Sequence, residues 1–207
     1  VEPEYAEFSV DAIVPLVVAQ RAEWDYIELA DSEESSPTMT RFFQGLQDFG
    51  MSPGVTRTID CPYTELPATF ERYLEGVGAN LRYNFRRRWR ALEREGSAEF
   101  LTLAGGPELH ERFGELVQLH RLRFGNQRKH SSFLAPDVQA FHADALTRLA
   151  AEDLARLFVL QVGGRTVAAL YGFSAGKTFS FFQSGMDPAW AKLSVGLVVM
   201  GCSIREA

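Results

Sequence analysis

Between residues 38 and 49 the apolar positions Met39, Phe42, Phe43, Leu46 and Phe49 fall three or four apart, the spacing of an amphipathic helix. Ser35-Ser36-Pro37 supplies its start signal, since proline is tolerated in a first turn whose N–H groups lack partners, and Gly50 ends it. Residues 12–22 carry a second helical pattern. Residues 25–30 (DYIELA) and 55–59 (VTRTI) predict short strands. The front of the chain is thus expected to alternate helix, strand, helix, strand. Cys61-Pro62-Tyr63 and Leu66-Pro67 punctuate the chain there, and two domains are expected, residues 1–62 and 63–207.

Beyond the boundary, residues 69–76 predict a short helix and residues 80–95 a longer one ended by Gly96. At ~100° per residue Leu81, Phe85, Trp89 and Leu92 share one face of the longer helix, with Arg82, Arg86, Arg87, Arg90 and Arg94 spread over the other. Residues 98–103 read as a strand. Gly105-Gly106-Pro107 then turns the chain into a helix over 108–123, and residues 125–132 (GNQRKHSS) form a polar loop. Residues 137–151 predict an amphipathic helix with Val138, Phe141, Ala145, Leu146 and Leu149 inward.

The last third is the most informative. Residues 154–162 are a continuous run of strand formers, and Gly163-Gly164 is a two-residue turn suited to a tight hairpin. Residues 166–173 return as a second strand, apolar on both alternating sets and so buried on both faces. Residues 178–183 form a third strand. Met186-Asp187-Pro188 then leads to Lys192-Leu193-Ser194-Val195-Gly196-Leu197, which opens a helix reaching the last residue. The predicted class is α/β (α+β), a mixed, mainly antiparallel sheet flanked by helices.

Composition narrows the function classes. Hydrophobic residues make up 46% and charged residues 23%, as in globular proteins, and no apolar stretch approaches a membrane span. A net charge of −6 argues against bulk binding of nucleic acid, though it leaves room for a local basic patch. Cys61 and Cys202 have neither metal-ligand spacing nor a disulfide framework, and both read as buried, inert thiols. Two such thiols fit a reducing compartment, so a cytoplasmic location is expected.

The candidate chemistry lies at the helix opened by Ser194. Its first N–H groups are unpaired, the aligned peptide dipoles make that end partly positive, and Gly196 leaves room for close approach by a phosphate or pyrophosphate. Lys192 adds a full charge nearby. The alternative is a Ser194 that only caps the helix and a Gly196 that only allows close packing on the sheet. His120 is the best-placed proton acceptor, its ordinary pKa being near neutrality; a structural histidine at a helix–loop junction is the other reading. Asp187 follows the third strand directly, but Asp-Pro is also a common turn starter. His130 sits in the polar loop, where it can line an acceptor site. No His–carboxylate spacing supports a metal, and no nucleophile elbow is present.

The order of these elements resembles the GNAT acyltransferase superfamily. The stretches PYTELPATFERYL, NLRYNFRRRWRALEREG, ELVQLHRLRF, RLFVLQVGGRTVAALYGF and SGMDPAWAKLSVGLVV are similar to its CelD-like or BioF2-like branch, related to the Fem-type aminoacyl transferases. The resemblance covers roughly two-thirds of the chain and implies an acetyl-CoA or other acyl-CoA donor. Gln183, Ser184, Gly185 and Met186 would orient the thioester, and Leu193, Ser194, Val195, Gly196 and Leu197, with Lys192, would hold the pyrophosphate. His120 and Arg123 match the branch's L-H-x-x-R pattern. The arginine helix reads either as a site for an anionic acceptor or the CoA 3′-phosphate, through Arg82, Arg86, Arg87 and Arg90, or as a solvated surface partly offset by Glu93 and Glu95. Such an acceptor would be a saccharide or another cell-envelope compound bearing an amine or hydroxyl. The resemblance also implies that residues 1–62 are the back half of a first GNAT-like domain, and that the second domain continues past residue 207 with a further strand. Two other functions stay open: an aminoacyl-tRNA-dependent transferase of the Fem type, and a catalytically silent binding module.

Overall fold

The computed structural model describes residues 5–29, 32–33, 35–56, 58, 60–124 and 131–207. Contacts divide the chain into two compact units, Val1–Thr64 and Glu65–Ala207.

The first unit is built on two helices, α1 (Ala6–Ala19) and α2 (Pro37–Asp48). Val10, Val14 and Leu46 form its small core, and Arg41 of α2 pairs with Asp11 and Glu7 of α1. The Ser36 side chain caps α2 by accepting from the Met39 N–H, with Pro37 at the first helical position. Among the described residues the expected strands do not form. Asp25 is a bend, residues 26–29, 55, 56 and 58 belong to no helix or strand, and Ala30, Arg57 and Ile59 lie outside the described residues. A strand needs a neighbour to bond to, and β-propensity alone does not supply one. Cys61 is exposed, correcting its reading as a buried thiol.

The second unit is a four-stranded antiparallel sheet in the order β1-β2-β3-β4: Ala98–Leu103, Ala155–Val162, Arg165–Ala175 and Thr178–Met186. Helices α4 (Ala79–Glu95) and α7 (Val195–Glu206) cover one face, with the short α3 (Phe70–Gly76) beside them; α5 (Glu108–Phe124) and α6 (Pro136–Ala151) cover the other. The pleat explains the two cores. Phe158 and Leu160 point toward α4 and α7, while Leu157 and Val159 point toward α5 and α6. Both sets are fully buried, as the doubly apolar strands require. Each of two bulges leaves one residue without a partner: Val167 in β3, as pairing jumps from Ala168 to Thr166, and Phe182 in β4, as it jumps from Gln183 to Phe181.

Two faces differ from expectation. Leu81, in the first turn of α4, is exposed, while Phe85 and Leu92 are buried. On α6 the buried line is His142, Leu146 and Ala150, and Phe141 is 66% exposed. Cys202 is buried in α7, where desolvation pushes its thiol up to about 11.

Candidate active site

A 3₁₀ turn, Pro188–Leu193, links β4 to α7. Asp187 holds it in place. One carboxylate oxygen accepts from the Ala189 N–H at 2.9 Å, the other from Arg165 Nη2 at 2.6 Å, and the Asp187 N–H donates to the Val167 carbonyl at the first bulge. Asp187 is 5% exposed and both its oxygens are engaged, so the geometry matches the turn-starter reading.

Ser194 then adopts left-handed backbone angles, φ 55° and ψ 44°, a conformation that costs a non-glycine residue roughly 1 kcal/mol. Its hydroxyl caps nothing; its carbonyl accepts from the Leu197 and Val198 N–H groups. The N–H groups of Val195 and Gly196 find no acceptor among the described residues, as expected for the first turn of a helix. A Cβ added at Gly196 would meet only Met186 Sδ, at 3.4 Å. Packing on the sheet therefore does not require this glycine. The turn is braced from α4, where Arg88 Nη1 donates to the Lys192 carbonyl at 2.6 Å.

A cleft of about 440 Å³ runs along the free edge of the sheet to this helix start. Ser184, Gly185 and Met186 of β4, Gly196 and Leu197 of α7, and Arg123 at the end of α5 line it. Six of the residues singled out in the sequence therefore come together. Others do not. Gln183 pairs with Tyr171 and so projects to the α5–α6 face. Lys192 is exposed outside the cleft, and Leu193 and Val195 pack into the core on the α7 side. Arg82 donates to the Leu74 and Glu75 carbonyls at the end of α3, while Arg86, Arg87 and Arg90 border a separate groove of about 660 Å³ along α4. His130 lies outside the described residues. The sequence reading missed Leu170, Phe181, Val199 and Met200, apolar residues that also line the cleft.

His120 lies behind β4 rather than in the cleft. It is 3% exposed, with Nδ1 2.9 Å from the Ser184 carbonyl and Nε2 2.9 Å from Ser131 Oγ. A carbonyl only accepts, so Nδ1 carries the proton and Nε2 accepts from the serine hydroxyl. Desolvation holds the imidazole below its ordinary pKa, opposed by the bond to Ser184 and aided by the nearby Arg123 charge. The close approach of α5 to β4 depends on Gly185, whose added Cβ would sit 2.5 Å from the His120 N and 2.7 Å from Leu119 Cβ. On that same face the Tyr171 hydroxyl and His142 Nδ1 are buried without partners among the described residues, and burial raises the Tyr171 pKa to about 12. Among the described residues no group of three or more His, Cys, Asp or Glu is placed to hold a metal ion, and no helix is long and apolar enough to cross a membrane.

Helices on both faces of an antiparallel sheet, with a cleft between a bulged edge strand and an open helix start, define a GNAT-like fold. A family model described as "Acetyltransferase (GNAT) domain" matches residues 79–207, more than half of the chain. The chain belongs to this acetyltransferase family, whose members usually use acetyl-CoA or another acyl-CoA as donor. A search of the curated proteins finds no match.

Proposed function

We propose that the protein is an acyl-CoA-dependent N- or O-acyltransferase that binds its donor in the cleft beside β4 and α7. The observation that carries this reading is the cleft's own chemistry. The Val195 and Gly196 N–H groups and the Arg123 guanidinium suit a pyrophosphate, and the apolar Leu170, Val199 and Met200 suit the adjoining arm. The unpaired edge of β4 offers backbone groups to the thioester end. His120 acts as a positioning residue that holds the Ser184 segment against α5, and Asp187 holds the turn before α7. In the transfer the acceptor's amine or hydroxyl bonds to the acyl carbon, the carbon–sulfur bond breaks, and the acceptor's proton leaves as the thiolate departs. Placement of donor and acceptor supplies most of the rate.

The sequence branch favoured is the CelD-like or BioF2-like one, with an acceptor from the cell envelope or its polysaccharides and activity in the cytoplasm. Residues 1–62, as part of a first GNAT-like half, belong to the same reading. Isothermal titration with acetyl-CoA and longer acyl-CoAs tests the assignment. At least one should bind, and Gly196→Phe, which fills the helix start, should weaken that binding at least tenfold. Failure of every acyl-CoA to bind would sink the proposal and favour a silent module. Binding of charged tRNA instead, weakening steeply with salt, would favour the aminoacyl-tRNA-dependent transferase.

A further inference from the structure

We infer that the outer face of α4 binds a linear acidic saccharide, a chain of sugar rings bearing carboxylates. At ~100° per residue, Arg82, Arg86, Arg90 and Arg94, with Tyr83 and Arg87, fall within an arc of ~140°, while Arg88 lies outside it and turns to the Lys192 carbonyl. One carboxylate, Glu93, falls on this arc at ~20°, and it accepts from Trp89 Nε1 rather than from an arginine. Elsewhere in the described residues Arg41, Arg112, Arg148, Arg156, Arg165 and Arg205 each pair with a carboxylate, while Arg21, Arg72, Arg121 and Arg123 do not. Among the described residues none of the six arginines of α4 pairs with a carboxylate, in a chain whose net charge is −6. Like charges four residues apart destabilise a helix, so this row is held at a cost that a bound anion would remove.

The shape of the row selects the ligand. Arg82 is tied to the end of α3, which leaves Arg86, Arg90 and Arg94 exposed at intervals of ~6 Å along a shallow groove. A single phosphate or pyrophosphate would engage one end of it; a chain with several regularly spaced anions would engage all three. Guanidinium forks match carboxylates in two-point contacts. Tyr83, about one turn before Arg86, is 64% exposed, with Arg87 5.7 Å above its ring, and offers a flat face for a sugar ring at that end of the row. A single-stranded nucleic acid would call for several stacking aromatics, and this stripe carries one. The inference deepens the acyl-transfer reading and rests on it for the saccharide's role as acceptor. Binding to α4 needs no donor.

The test is calorimetric titration of the full chain, without acyl-CoA, with a decamer of galacturonate, a neutral maltodextrin of equal length and decathymidylate. The galacturonate decamer should bind and the maltodextrin should not. Arg86→Gln/Arg90→Gln/Arg94→Gln should weaken binding at least tenfold with an unchanged circular dichroism spectrum. Tyr83→Ala should weaken it about threefold, and Gly196→Phe should leave it unaltered. No binding of galacturonate, binding unaffected by the triple substitution, or decathymidylate binding as tightly as galacturonate would overturn the inference. Each of those results leaves the donor-cleft assignment standing.

Discussion

The His120 imidazole has one donor and one acceptor in its neutral form, and both are engaged inside the protein. Those bonds tie the ring to β4 at the Ser184 carbonyl and support the positioning role proposed above. The residue type had suggested a proton acceptor, and only the partners separate the two roles. Tyr171 shows the opposite case, a buried hydroxyl with no partner among the described residues. Removing it as Tyr171→Phe keeps the ring contacts and should raise stability, by up to ~1 kcal/mol, because an unsatisfied buried hydroxyl carries a desolvation penalty. A thermal melt that shows a lower midpoint for this variant would reveal a partner for the hydroxyl.

His120 and His142 also set a pH dependence. Burial lowers both pKa values, so the unfolded chain binds protons more readily than the fold does. The stability they contribute is present above the ordinary histidine pKa, ~6.5, and is lost as pH falls through the lower folded values. The melting midpoint should therefore drop between pH 7 and pH 5. His142→Phe, which leaves no partner unpaired, should flatten part of that drop. An equal slope in the variant would remove His142 from this account.

At the scale of elements, α5 and β4 meet through Gly185. Gly185→Ala would force a methyl group to within 2.5 Å of the backbone at His120, and should destabilise by about 1–3 kcal/mol while weakening donor binding. Gly196→Ala meets only Met186 Sδ and should fold as the wild type does. Denaturant titration of the pair checks the contrast, and equal midpoints would contradict it. The elements of the second unit were legible because their patterns have an internal cause. The two-sided apolar run of β2, the Gly163-Gly164 turn and the Ser194-to-Leu197 helix start each encode their own geometry. Residues 25–29 have strand composition but no neighbour to pair with, and a single sequence does not show that. Phe141 and His142 exchange places for a related reason. One step along α6 rotates a side chain ~100°, and the neighbouring Phe133 and Phe182 rings decide which residue faces inward.

At the scale of the whole second unit, the two faces of the sheet divide the work. The α5–α6 side holds the braces and the aromatic core, and the α7 side opens into the cleft. Six of the site residues read from the sequence line that cleft. The missed ones, Leu170, Phe181, Val199 and Met200, are apolar, and an apolar residue lining a cleft has the same sequence signature as one in the core. Arg86, Arg87 and Arg90 were legible as a charged face, yet they border a separate groove.

The central claim is the location of the donor, and a two-dimensional amide NMR titration with coenzyme A tests it most directly. The amides of Ser184, Gly185 and Met186 and of Val195, Gly196 and Leu197 should shift together and saturate at a common dissociation constant. Shifts confined to α4, or none at all, would contradict the account.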